Sequence, residues 1–131
     1  MTGLQSRDHW QQQAGSMLAW HAATGQPSSM LLVDVDWFKA INDRHGHAIG
    51  DDVLRGIAGV IRASLPDGSH AGRLGGDEFA IVMPVDAGKA RSIAEGIRAG
   101  VATLDLPHLP MLRSSVSIGS AEPPTADGVH S

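Results

Sequence analysis

Apolar residues along the chain alternate between a helical period and continuous runs. Trp10, Ala14, Met17, Leu18 and His21 recur at helical spacing, which predicts an amphipathic helix over 6–23. "TGQPSS" (Thr24 to Ser29) ends it with Gly and Pro. "MLLVDV" (Met30 to Val35) is an unbroken apolar run behind a turn, the pattern of a fully buried strand. "DWFKAIND" reads as a short helix with Asp36 at its N-cap, and the Gly- and His-rich "RHGHAIGDD" as loop. A long helix follows with the stripe Val53, Leu54, Ile57, Val60, Ile61 and Leu65. Asp51 and Asp52 stand at its start, where the macrodipole favours anions.

"PDGS" is a turn; beyond it a strand near 70–74, a tight reversal and a strand over 78–83 are expected. A third long helix carries Ala90, Ile93, Ala94, Ile97, Val101 and Leu104, closed by Pro107 and Pro110. "LRSSVSIGS" places Leu112, Ser114, Val116 and Ile118 on one face of a half-buried strand. The tail "AEPPTADGVHS" has no periodicity and is expected to be loose. With no internal repeat, residues 1–131 read as a single α/β domain, an α+β sandwich with helices mainly on one face of a small sheet.

Composition narrows the partners. A hydrophobic content of 42% with 18% charged residues is that of a folded globular domain. The formal charge is -4, with Lys and Arg scattered, which argues against a nucleic-acid binder. A nucleotide held through a cation remains compatible. There are no cysteines, so disulfides and thiolate metal sites are excluded. No apolar run approaches the ~20 residues of a membrane span, and no signal-peptide pattern opens the chain. A cytoplasmic location is expected.

Candidate chemistry gathers at two acidic segments. Asp34 and Asp36 sit at the C-terminal end of the apolar strand, where a carboxylate is costly unless paired, hydrogen-bonded or metal-bound. Asp77 and Glu78 follow Gly75 and Gly76, which can take the positive φ of a hairpin turn and leave room for a ligand. If the two strands are neighbours, Asp34 and Asp77 meet. Hard oxygen ligands beside open space suit Mg²⁺, which polarises phosphate and activates a hydroxyl. The plain readings stand beside these: an ordinary Gly-Gly-Asp turn, a capping Asp36, a solvated Lys39. His45 and His47 lack a third ligand at metal spacing. His9, His21, His70, His108 and His130 carry no signal. Trp10, Trp20 and Trp37 read as core or helix-packing residues.

Four stretches together resemble one family. "GGDEF" at Gly75 to Phe79, preceded by Arg73, resembles the motif that names the GGDEF-domain family, the diguanylate cyclases. "DVDWFKAINDRHGHAIGDDVL" is similar to that family's D-x-D-x-F-K-x-I-N-D-x-x-G-H-x-x-G-D signature. "TGLQSR" resembles T-G-L-x-N-R, with Ser6 for Asn, and "SVSIG" resembles T-x-S-I-G. The resemblance implies a palm-like nucleotidyl-cyclase fold, a mostly antiparallel sheet with flanking helices and a GGDEF β-hairpin. It also implies condensation of two GTP into cyclic di-GMP across a homodimer, with Mg²⁺ or Mn²⁺ as cofactor and two pyrophosphates released. Asp34, the Val35 carbonyl and Asp77 would then ligate metal, with Asp77 also aiding deprotonation of the 3′-hydroxyl and Glu78 in support. Asn42 and Asp51 would read guanine. Backbone N–H groups of Trp37 and Phe38, with Lys39 close by, would cradle phosphates, and Gly75 and Gly76 would clear space for nucleotide.

Departures from the family pattern accompany the match. Pro66 and Ser69 stand where it has the R-x-x-D of its product-inhibition site, so that site is expected to be absent or badly weakened, Asp67 being no substitute for an arginine. The family's C-terminal A-D-x-A-L-Y-x-A-K helix and G-R-N have no counterpart up to Ser131, and the chain has no Tyr. It reads as an excised catalytic module. The alternative is a catalytically weak GGDEF-like module that binds GTP or cyclic di-GMP, where product could also occupy the active site itself. A purely structural dimerisation domain would have no need of Asn42 and Asp51.

Overall fold

The structure is a computed structural model that describes residues 4–106 and 112–121. Thr2, Pro107, Pro110 and the tail beyond Ala121 lie outside the described residues. Helix α1 (Arg7–Thr24) starts where the Ser6 hydroxyl accepts from the His9 N–H, and ends at Gly25 in the left-handed region. Its Trp10, Ala14 and Leu18, spaced by four, form one buried stripe. Strand β1 (Ser29–Val35) leads into α2 (Phe38–His45) and α3 (His47–Ser64). The hairpin β2 (His70–Arg73) and β3 (Glu78–Met83) follows, then α4 (Ala87–Ala102) and β4 (Val116–Ala121).

The sheet runs β2-β3-β1-β4, with every pairing antiparallel. β1 and β3 occupy its middle and are covered on both faces, which is why their sequences read as continuous apolar runs. Leu31, Val33, Val35, Phe79, Ile81 and Met83 point to one side, against the stripes of α3 and α4 and Ile41 of α2. Ala80 and Val82, with Met30 and Leu32, point to the other and meet α1. A single methyl-sized gap governs how closely α1 approaches the hairpin: a Cβ on Gly72 would lie 2.5 Å from the Trp10 Cβ. The Trp10 indole N–H also donates to the His70 carbonyl at 2.9 Å.

Several expectations need correction. "RHGHAIGDD" is not loop: α2 continues to His45, α3 begins at His47, and Gly46 alone (φ 90°, ψ 162°) breaks the two apart. Asp51 and Asp52 therefore lie in the second turn of α3, not at its start. Gly50 costs about 1 kcal/mol relative to Ala within a helix, but it is buried beneath Asn42 and Phe38, and packing prevails over propensity. Trp10 is core, whereas Trp20 and Trp37 are 65% and 81% exposed. Leu104 lies past the end of α4, and "LRSS" leads into β4 without being part of it.

Candidate active site

The register of β1 decides which carboxylates meet. Asp34 stands directly opposite Glu78 on β3 and Ser117 on β4. Cross-strand partners share a face, so these three side chains project from the same side of the sheet. The Val35 N–H donates to the Asp77 carbonyl at 3.0 Å, which brings Asp77 to the same end. Asp34 is exposed, and Asp77 and Glu78 are half-buried. The desolvation cost expected of Asp34 is avoided because β1 delivers it to the solvent edge.

The hairpin loop, Leu74 to Asp77, closes with the Leu74 N–H on the Glu78 carbonyl at 2.8 Å. Neither Gly75 nor Gly76 has a positive φ, contrary to the turn geometry expected of them. A loop of this length turns without left-handed residues, unlike the two-residue connection. A Cβ on either glycine would also meet no atom of the described residues within 4 Å, so none of these demands glycine there. The space beyond them is open. Arg73 braces the loop from below, its Nε donating to the Gly75 carbonyl (2.9 Å) and its Nη2 to the Gly76 carbonyl (2.8 Å).

Asp36 is not the cap of α2. That position belongs to Trp37, which is left-handed (φ 59°, ψ 24°) and makes no side-chain capping bond. The Asp36 carboxylate turns instead to the start of β4, accepting from the hydroxyls of Ser115, just before the strand, and Ser117, within it, at 2.7 Å each. The first N–H groups of α2 thus carry no side-chain cap. Lys39, the second residue of α2, pairs with Asp43 at 3.1 Å on an exposed surface.

Across the α2–α3 break, Asn42 meets Gly50, the residue before Asp51. The Asn42 side chain occupies the space a Gly50 Cβ would take, its Oδ1 only 1.8 Å from that position. Asp51 borders a cleft of ≈ 550 Å³ whose walls include Leu4, Leu54, Arg55 and Arg73. Pro66 and Ser69 belong to a separate cavity of ≈ 360 Å³. Arg62 and Asp67 also line it, so a cation and a carboxylate do border the region, though from other positions than the R-x-x-D spacing.

A family model described as "Diguanylate cyclase, GGDEF domain" matches residues 1–130. The chain belongs to the GGDEF domain family. The diguanylate cyclase DgcM of Escherichia coli K12 is 39% identical over 122 residues, covering 92% of this chain and 29% of that protein. The response regulator PleD of Caulobacter vibrioides NA1000 is 39% identical over 123 residues, 91% of this chain and 27% of that protein. This GGDEF domain spans less than a third of the length of either relative. The GGDEF domain of YfiN (TpbB) from Pseudomonas aeruginosa superposes with a TM-score of 0.86 at 36% identity, over 92% of this chain and 77% of that one. The GGDEF domain of DgcB from Caulobacter crescentus, solved in complex with c-di-GMP, gives 0.84 at 29%, over 93% and 75%. The fold is the expected α+β arrangement of an antiparallel sheet with flanking helices.

The acidic end of this GGDEF domain suits a hard divalent cation. Among the described residues no three His, Asp or Glu side chains form a ready-made metal cluster. Mg²⁺ does not require one, since it takes one or two carboxylates and completes its shell with water and phosphate oxygens. Asp34 and Asp77, with backbone carbonyls at the same strand ends, are the oxygen donors that could hold such an ion. His45 and His47 flank Gly46 on separate helices. Sequence reading missed three features of this region: the Arg73 brace, the Ser115 and Ser117 hydroxyls, and the apolar walls Leu4 and Leu54. Leu4 and Ser117 sat inside recognised motifs, but their neighbours across the fold have no local signature.

Proposed function

We propose that this GGDEF domain condenses two GTP molecules into cyclic di-GMP and two pyrophosphates. The observation that carries the reading is the β1–β3 register, which sets Asp34 against Glu78 and ties Asp77 to Val35 at one exposed strand end. Asp34, the Val35 carbonyl and Asp77 would hold Mg²⁺ or Mn²⁺, which when bound would supply Lewis-acid polarisation of a phosphate oxygen. Uncapped N–H groups of Trp37 and Phe38 face the phosphates. Lys39 is available to them because an exposed ion pair such as Lys39–Asp43 contributes only about 0.5 kcal/mol. Asn42 and Asp51 read guanine: a carboxylate accepts both the ring N–H and the amino group of its Watson–Crick edge, which adenine does not offer. Leu4 and Leu54 form apolar walls for the base beside Asp51. Gly75 and Gly76 leave the nucleotide in contact with bare backbone.

Each protomer holds one GTP, and two face each other in a homodimer. The 3′-hydroxyl oxygen of one GTP bonds to the α-phosphorus of the other as the α–β bridging P–O bond breaks. The hydroxyl proton leaves with help from Asp77, Glu78 supports it, and pyrophosphate departs. Two such steps close the ring. The exposed position of the site is in keeping with this, because one chain leaves the nucleotide open on one side.

Incubation with GTP and Mg²⁺, with products separated chromatographically, tests the reading. Cyclic di-GMP from the wild type and none from Asp77→Ala is expected; no product from either would overturn it, and GTP binding without product would mark a binding module instead. Product control differs from the family pattern in this reading. Pro66 and Ser69 offer no charge at the R-x-x-D positions, so cyclic di-GMP inhibits by competing for the guanine cleft. Inhibition that rising GTP fails to relieve would exclude this.

A further inference from the structure

Three observations converge on the turn between β1 and α2. Trp37 holds a left-handed backbone that a bulky residue rarely adopts, and such a conformation persists only where its surroundings over-determine it. Its own side chain cannot supply that restraint, being 81% exposed. The residue just before it is restrained three times over. The Asp36 N–H donates to the Ser115 carbonyl at 3.0 Å, and its two carboxylate oxygens each accept a serine hydroxyl at 2.7 Å. The "SVSIG" strand, otherwise without a task at the site, is the source of all three bonds.

We propose that Asp36, Ser115 and Ser117 are positioning residues that lock this strained turn. The inference rests on the nucleotide reading above. The turn joins the Val35 carbonyl, on the metal side, to the Trp37 and Phe38 N–H groups, on the phosphate side. Rotating the peptides around Trp37 toward an ordinary right-handed or extended geometry would swing one of these sets away from the other. Bonds to a carboxylate are charge-assisted and short, and two on one carboxylate fix its plane as well as its position. With both oxygens engaged, Asp36 is also a poorer metal ligand than Asp34, which gives the two aspartates of "DVD" distinct tasks.

The test uses the whole chain with Asp36→Asn, Ser115→Ala/Ser117→Ala, and the conservative Ser115→Thr/Ser117→Thr. Amide hydrogen exchange is read at Asp36 and Ile41, whose N–H groups are bonded on either side of Trp37, with Ile81 in the centre of β3 as internal reference. Mg²⁺-supported GTP affinity is read by calorimetry. In the Asn and Ala variants, exchange at Asp36 and Ile41 is expected to quicken roughly tenfold, the scale of one lost bond to a charged group. Ile81 stays slow, GTP affinity falls by about the same factor, and the Thr variant restores both. Unchanged exchange at Asp36 overturns the lock. Faster exchange with unchanged GTP affinity reduces it to a structural tie and overturns the positioning role. Failure of the wild type to bind GTP would instead overturn the nucleotide reading itself, and is told apart because it needs no variant. Should Asp36→Asn lose the slow exchange of Ile81, the serine variants decide the matter.

Discussion

Gly50 is bare because the amide of Asn42 lies where its side chain would be. The clash from an added methyl falls on the far end of a flexible side chain, so Gly50→Ala moves Asn42 and leaves the helices in place. Alanine is the better helix former by about 1 kcal/mol. The melting temperature of Gly50→Ala is therefore expected to stay or rise, while calorimetry shows GTP binding weakened roughly tenfold, as for one lost hydrogen bond. Undiminished GTP binding would remove Asn42 from the guanine reading. Gly75 and Gly76 pose a related case. With ordinary φ and open space around them, Gly75→Ala and Gly76→Ala should shift stability by no more than ~0.5 kcal/mol in denaturant titrations. Their effect is expected in turnover, because among the described residues nothing lies within 4 Å for the methyl to strike, and the proposed nucleotide would occupy that space. Gly72→Ala is the contrast: its methyl meets Trp10 at 2.5 Å and should destabilise by about 2 kcal/mol. The glycine motif and the open space it leaves were legible in sequence; the positive φ that turn chemistry predicted is not used by the loop.

At the scale of elements, the hairpin is held from two sides. Gln5 pairs with the outer edge of β2, donating to the Ala71 carbonyl at 3.1 Å and accepting from the Arg73 N–H at 3.2 Å. The Arg73 guanidinium then reaches around to the carbonyls of Gly75 and Gly76. Arg73→Ala is expected to keep the fold, to quicken amide exchange of Leu74, and to lower cyclic di-GMP formation at least tenfold, about the value of one charged-group hydrogen bond. Arg73→Lys should fare little better, because an ammonium cannot bond two carbonyls as a planar fork does. Recovery of full activity by lysine would refute the brace. Most elements were readable because burial imposes a period on local sequence: α1, α4 and the central strands fall close to where the apolar pattern put them. The α2–α3 junction was misread. Its residues favour turns individually, and the helical state prevails only because Ile41, Val53 and Leu54 pack against the sheet.

For the molecule as a whole, the surface ion pairs among the described residues contribute little: Lys39–Asp43, Arg55–Asp52, Arg98–Glu95 and Arg113–Asp105 are all partly or fully exposed. Stability rests on the two apolar layers either side of the sheet. Raising salt should therefore change the unfolding free energy by less than about 1 kcal/mol. Under the proposed homodimer mechanism, catalysis should respond differently to conditions, since that mechanism requires two half-sites to meet. Specific activity is expected to rise with protein concentration and to level off as dimers saturate; activity strictly proportional to concentration from the lowest dilution would count against assembly from free protomers. What the sequence determined by itself was the set of elements and the chemical types at the site, because periodicity, turn residues and carboxylate spacing are local properties of the chain. Only the tertiary structure decided who meets whom. Strand register set Asp34 against Glu78 and diverted Asp36 from the helix to Ser115 and Ser117, and close packing gave Gly50 and Gly72 their reasons. Such pairings depend on contacts between distant segments, where many partners of equal chemistry compete and geometry alone selects among them.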